Sequence, residues 1–152
     1  KNTKYIFTLP NSHLNSNIIR KSIINFCKQN NKSYYFKSLG SLNYFSCMKN
    51  CDLVLGNSSS GILETPSFKI PTINIGNRQN GRIQSSSIIN CNFTVNEISK
   101  AIKKSMSKKF KNKIRNAKNP YFKKNTSLNI KKIIEKVITK NNIEKKMFYD
   151  IQ

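Results

Sequence analysis

Asp52-Leu53-Val54-Leu55-Gly56-Asn57-Ser58-Ser59-Ser60-Gly61-Ile62-Leu63-Glu64 is an apolar run that stops at a glycine, crosses three serines and resumes as an apolar stretch with one carboxylate. Residues 52–55 have the composition of a buried strand. Gly56 and Gly61 bracket the turn and permit close backbone approach and unusual dihedrals. A helix is expected to start near Ser59 or Ser60, with its first N–H groups unpaired and pointing at the loop. Those groups and the helix dipole favour an anion, typically a phosphate. The hydroxyls of Ser58, Ser59 and Ser60 add donors. Glu64 lies about one helical turn beyond Ser60. A carboxylate there repels phosphate but accepts well from a diol such as a ribose. The plain alternative is a strand, a turn and a serine-capped helix with no ligand, and this segment alone does not exclude it.

The following segment favours the ligand. Lys69-Ile70-Pro71-Thr72-Ile73-Asn74-Ile75-Gly76 reads as another strand ending at glycine, followed by Asn77-Arg78-Gln79-Asn80-Gly81-Arg82. In an open parallel sheet, ligands bind beyond the carboxyl ends of the strands, and both turns fall at such ends. The chain has four arginines against 24 lysines, so two in one five-residue stretch is a concentration. Arg78 and Arg82 are expected to face the same anion; the alternative is a solvated loop.

Outward from this centre the pattern alternates. Strands are predicted over residues 4–9 and 33–36, with a further short one at Ile88 and Ile89. Helices are predicted over residues 16–28, 42–48, 96–105 and 128–138, from apolar residues at helical spacing. Residues 103–124 are dense in lysine and are expected to form an exposed helix and loop. The alternation predicts an α/β fold: a Rossmann-like, doubly wound parallel sheet flanked by helices. With 152 residues the chain is long enough to bury one core. Residues 1–140 are expected to form one domain, and residues 141–152 a basic, partly disordered tail.

The stretch GNSSSGILETPSFKIPTINIGNRQNGR, residues 56–82, resembles the hydrolysing UDP-N-acetylglucosamine 2-epimerases. The resemblance extends back through Phe36-Lys37-Ser38-Leu39-Gly40, Leu42-Asn43-Tyr44-Phe45 and Thr8-Leu9-Pro10-Asn11. It extends forward, more faintly, to Asn119-Pro120-Tyr121 and Thr126-Ser127, covering roughly residues 4–138. That family has two Rossmann-like domains of GT-B type with the nucleotide sugar between them, and this chain resembles the C-terminal one. The resemblance implies that Ser58 and Ser59 hold the diphosphate, aided by amides near Ser60 and Gly61. It implies that Glu64 binds the ribose and that Arg78 lies by the phosphates. It alone assigns Asn11 to the nucleotide and the backbone near Leu39 to the base.

The same resemblance implies a UDP-sugar ligand, or a GDP-sugar, no cofactor and no metal. It also implies a homodimer at full length and a cytoplasmic enzyme of sialic acid, legionaminic acid or surface polysaccharide synthesis. A start at Lys1 fits a fragment whose N-terminal catalytic domain lies upstream. Inverting carbon 2 of the sugar needs positioned acid/base groups. The six acids are Asp52, Glu64, Glu97, Glu135, Glu144 and Asp150. Only Glu64 falls in the inferred pocket, where ribose would occupy it. No catalytic residue is therefore expected within this chain, which should bind the nucleotide without turning it over alone. Two departures stand out. His13 occupies a position where the family usually has Asp, and Phe122, Lys123 and Lys124 replace its usual Gly-Asp-Gly.

The formal net charge is +22, with +8 in residues 1–99 and +14 in residues 100–152. Taken alone this points to nucleic acid or an anionic membrane surface. The positive residues are not interleaved with aromatics as stacking platforms require, and the abundance of Asn and Ile suggests a compositional bias. No specific nucleic acid and no membrane is expected. No apolar run approaches the length of a membrane span, and the first residues do not form a signal peptide. Cys27, Cys47, Cys51 and Cys91 show no zinc-site spacing and read as small buried apolar residues. Two other readings remain: the C-terminal donor-binding domain of a glycosyltransferase, and a basic, non-catalytic relic.

Overall fold

The computed structural model describes residues 3–11 and 16–139. Among these, short β-branched and aromatic runs form strands, as their shape on a pleated surface favours. Strand β1 (Tyr5–Thr8) runs parallel to β2 (Ser33–Phe36), with Tyr5 opposite Ser33. Helix α1 (Ser16–Gln29) makes the crossover. Helix α2 (Gly40–Asn50) then leads to β3 (Val54–Gly56). A short helix, α3 (Ser60–Leu63), and a 3₁₀ turn at Thr65–Phe68 precede β4 (Thr72–Ile75). Strand β5 (Ile88–Cys91) completes a second parallel ladder in the order β3-β4-β5, with Val54 opposite Thr72 and Thr72 opposite Ile88. Helices α4 (Val95–Met106), α5 (Lys108–Ile114) and α6 (Thr126–Thr139) follow.

The parallel α/β class holds, and every predicted strand and helix is present within a few residues. The hydrogen-bonded sheet is in two pieces among the described residues: a β1-β2 ladder and a β3-β4-β5 ladder. Strand β3 spans three residues, which gives little edge for further pairing. The α2 helix connects the two ladders. It packs Phe45 against Phe68 of the 3₁₀ turn, with ring centroids 5.9 Å apart.

The core lies on the second ladder. Ile73 and Ile89 from β4 and β5 meet Ala101 of α4, Phe110 and Ile114 of α5, and Ala117. This corrects the expectation that residues 103–124 are an exposed helix and loop. Phe110 and Ile114, four residues apart on α5, share one face, and that face is buried together with Ala117 just beyond the helix. The lysines between them stay in solvent. Thr94 and Ser107 start α4 and α5 by accepting the N–H groups of Glu97 and Phe110, as N-cap residues do. The Glu97 carboxylate reaches back to the Asn92 N–H at 2.9 Å. Hydrogen bonds from the backbone and then the side chain of Asn92 hold its carboxyl below the usual carboxylate range.

The remaining elements are less enclosed. Helix α6 is exposed along its whole length. All four cysteines are free and half-buried rather than buried, and burial pushes the thiols of Cys51 and Cys91 up. His13 and the expected tail, residues 141–152, lie outside the described residues.

Candidate functional site

The serine turn sits at the carboxyl end of β3, as the sequence pattern requires. Gly56 ends the strand at φ 155°, in the region open to glycine. Gly61 is needed for a different reason. A Cβ there would lie 3.1 Å from Thr72 Cγ2, so its bare backbone lets α3 close onto β4. Two buried hydroxyls fix that contact. Thr72 Oγ1 donates to Thr65 Oγ1 at 2.7 Å, and Thr65 Oγ1 donates to the Gly61 carbonyl at 2.5 Å.

The helix after the turn starts at Ser60, as expected, and is a single turn long. It closes at Leu63 because Pro66, in the 3₁₀ turn that follows, has no N–H to donate to the carbonyl four residues back. One turn of helix builds little macrodipole, so any attraction for an anion rests on individual donors. The Gly61 N–H already binds the Ser58 carbonyl at 3.1 Å, and the Ile62 and Leu63 N–H groups bind the Ser59 carbonyl at 2.9 Å. The Ser60 N–H makes a long bond of 3.4 Å to Ser58 Oγ. Ser59 makes no side-chain cap. Ser58 is exposed and Ser59 half-buried, and both hydroxyls stand at the open turn.

Ser60 has a different part. Its hydroxyl donates to Glu64 Oε2 at 2.5 Å and lies 2.7 Å from the Tyr44 hydroxyl of α2. Ser60 therefore engages the carboxylate rather than standing free for a phosphate. Glu64, half-buried, is held at the mouth of the turn.

The arginine loop is tied to the same place by a residue between its two cations. Gln79 is buried, and its Nε2 donates to the Asn57 carbonyl at 2.8 Å. Arg78 and Arg82 are exposed on this tethered loop, and neither takes part in an ion pair among the described residues. Asp52 and Lys111 make such a pair at 4.0 Å, and Lys131 and Glu135 another at 3.6 Å. Behind α3, Asn119 donates to the Leu63 carbonyl at 2.8 Å and to Ser67 Oγ at 2.7 Å, so the Asn-Pro-Tyr motif closes the back of the turn. The left-handed position near it falls on Asn125, at φ 55°. Asn tolerates that conformation without glycine, and Phe122, Lys123 and Lys124 all keep negative φ.

Asn11 and Leu39 stand apart from the serine turn, at the carboxyl ends of β1 and β2. Asn11 lines an open cleft of about 630 Å³ with Pro10, Arg20, Lys37 and Ser38. Leu39, half-buried, starts α2 beside that cleft. All nine candidate residues thus lie at the carboxyl ends of parallel strands, and α2 runs from Leu39 to the Tyr44 that touches Ser60. Sequence reasoning missed Tyr44, Gln79, Asn119 and the Thr65–Thr72 pair as supports. Among the described residues no group of three His, Cys, Asp or Glu side chains gathers as metal ligands would. No described helix is long and apolar enough to cross a membrane.

A family model described as UDP-N-acetylglucosamine 2-epimerase matches residues 1–135. The chain is 40% identical over 152 residues to the polysialic acid biosynthesis protein P7 of Escherichia coli, covering 99% of this chain and 39% of that protein. It is 44% identical over 112 residues to the GDP/UDP-N,N'-diacetylbacillosamine 2-epimerase (hydrolyzing) of Campylobacter jejuni, covering 73% of this chain and 29% of that one. The chain therefore spans well under half the length of these relatives. Its fold is similar to that of the UDP-GlcNAc 2-epimerase of Neisseria meningitidis solved with UDP-GlcNAc. The TM-score is 0.62 at 20% identity, over 91% of this chain and 36% of that one.

Proposed function

This chain belongs to the UDP-N-acetylglucosamine 2-epimerase family, and from that premise we propose that it forms the nucleotide-binding half of a hydrolysing 2-epimerase. The whole enzyme would release the nucleoside diphosphate and an N-acetylmannosamine-type sugar. The observation that carries the reading is Glu64, locked by Ser60 at the mouth of a serine turn on the carboxyl end of β3. A fixed carboxylate accepts from a diol, while the Ser58 and Ser59 hydroxyls earlier in the turn donate to phosphate. The two halves of a nucleotide thus find opposite chemistry along one short turn and helix.

In this reading Ser58 and Ser59 take the diphosphate through their hydroxyls. Arg78 and Arg82 add charge from the loop that Gln79 ties to Asn57. Asn11 and the backbone at Leu39 take the nucleoside side. The acid/base groups that move the proton at carbon 2 belong to the part of the relatives that this chain does not span. The ligand is a UDP-sugar, with GDP-sugars as the nearest competitor. The complete protein is a cytoplasmic homodimer serving sialic acid, legionaminic acid or capsule synthesis.

A calorimetric titration of the chain with UDP, GDP and UMP at near-physiological salt tests this. The expected result is saturable binding that prefers one base and needs the second phosphate. Glu64→Ala should weaken UDP by about 1–3 kcal/mol through lost charge-assisted hydrogen bonds. Binding that fades with salt and ignores the base would reduce the site to nonspecific attraction by a basic protein.

A further inference from the structure

We propose that Tyr44 is a positioning residue for Glu64, acting through Ser60, and that it sets the preference for an intact ribose; this rests on the reading that Glu64 takes the ribose hydroxyls. A serine hydroxyl carries one proton and accepts at its lone pairs. Ser60 donates that proton to Glu64 Oε2 at 2.5 Å. The 2.7 Å contact between the Tyr44 hydroxyl and Ser60 Oγ must then have Tyr44 as the donor. The result is a one-way chain: Tyr44 O–H to Ser60, Ser60 O–H to the Glu64 carboxylate. Each bond polarises the next, and the last is assisted by the carboxylate's charge.

The chain has three consequences. The Ser60 hydroxyl has no proton left for a phosphate, so its contribution to the site passes through Glu64. A free glutamate samples many rotamers, and a carboxylate pinned at Oε2 has lost most of that freedom before any ligand arrives. Oε1 has no partner among the described residues, so it remains an acceptor for a diol. Tyr44 also comes from a different ladder connection than Ser60. Helix α2 begins at Leu39's side of the site and reaches the serine turn through this hydroxyl.

Tyr44→Phe tests the chain, because it keeps the ring, whose centroid lies 6.2 Å from that of Phe45, and removes only the donor. The wild type and the Tyr44→Phe, Ser60→Ala, double and Glu64→Ala variants are titrated with UDP and with 2′,3′-dideoxy-UDP, and thermal melts confirm that each is folded. Tyr44→Phe should bind UDP about 3- to 10-fold more weakly, the range of one lost hydrogen bond, and bind the dideoxy ligand as the wild type does. The double variant should be no worse than Ser60→Ala, since the two groups act in series. Equal weakening of both ligands in Tyr44→Phe makes Tyr44 a structural residue and overturns the proposal. So does an unchanged UDP affinity while Glu64→Ala still loses selectivity for ribose; that outcome leaves the nucleotide reading standing. If Glu64→Ala itself keeps wild-type selectivity, or the chain does not bind UDP, the ribose reading falls and this inference falls with it.

Discussion

The two parallel ladders both carry candidate residues, Asn11 and Leu39 on the first and the other seven on the second, but they are built differently. In the β3-β4-β5 half, Ile73 is 0% exposed and Phe110 6%, and α4 and α5 close one core around them. In the β1-β2 half, Ile6 is 53% exposed and Tyr34 50%. Its rings meet mainly each other, Tyr5 and Phe7 edge to face against Phe26 of α1. Each part of the site therefore draws its rigidity from a different source. The serine turn and the arginine loop stand on a core of their own. The cleft at Asn11 stands on a ladder whose apolar surface is largely open. A site shared between such halves keeps its acceptor and anion geometry fixed and leaves more freedom on the side of the cleft.

The contrast is broken most directly by truncating one ring in each half. Phe110→Ala should cost about 3–5 kcal/mol by denaturant unfolding, and Tyr34→Ala about 0.5 kcal/mol. Equal losses would mean that the two halves share one cooperative core. Thr65→Val sharpens the comparison at the seam between core and site. It leaves the Thr72 hydroxyl and the Gly61 carbonyl short of a buried partner, for a loss of about 1–3 kcal/mol. The same substitution should weaken UDP binding, since the turn then loses its backing. A loss in stability with affinity untouched would separate the core from the site.

The smallest effect is one of pH and belongs to the core half. The folded-state pKa of Glu97 lies below its unfolded value, chiefly through the Asn92 backbone N–H. Its contribution is therefore fully present above the unfolded pKa and disappears as pH falls through the folded one. Melting temperatures of the wild type and Glu97→Gln should differ at neutral pH and converge in strong acid. A gap that stays constant across that range would remove the charge from the account of how α4 begins.

Much of the fold was legible because strands and helices here are short and cleanly separated. The runs at Tyr5–Thr8, Thr72–Ile75 and Ile88–Cys91 have the β-branched and aromatic composition of strands. The one-turn length of α3 was legible in principle at Pro66. The buried face of α5 was hidden by the lysines at 108, 109, 111 and 113, though Phe110 and Ile114 kept helical spacing. The strand ends, the serine turn and the arginine loop were likewise visible as patterns. What pattern could not reveal is which side chains close the gaps between elements. Tyr44 meets Ser60 across 16 positions, Gln79 meets Asn57 across 22 and Asn119 meets Leu63 across 56. Such contacts depend on how elements dock, and a local spacing carries no trace of them.

The last of those contacts also sets a clock. The carbonyl of Leu63, at the back of the serine turn, receives its side-chain partner from a residue made 56 positions later. At about 5–20 residues per second on the ribosome, the turn waits roughly 3–11 s for Asn119 to be synthesised, and longer for it to leave the exit tunnel. Until then the nascent chain carries the serines, Glu64 and the arginine loop without the latch behind them. The backing of the candidate site is thus completed only after most of this chain has been made.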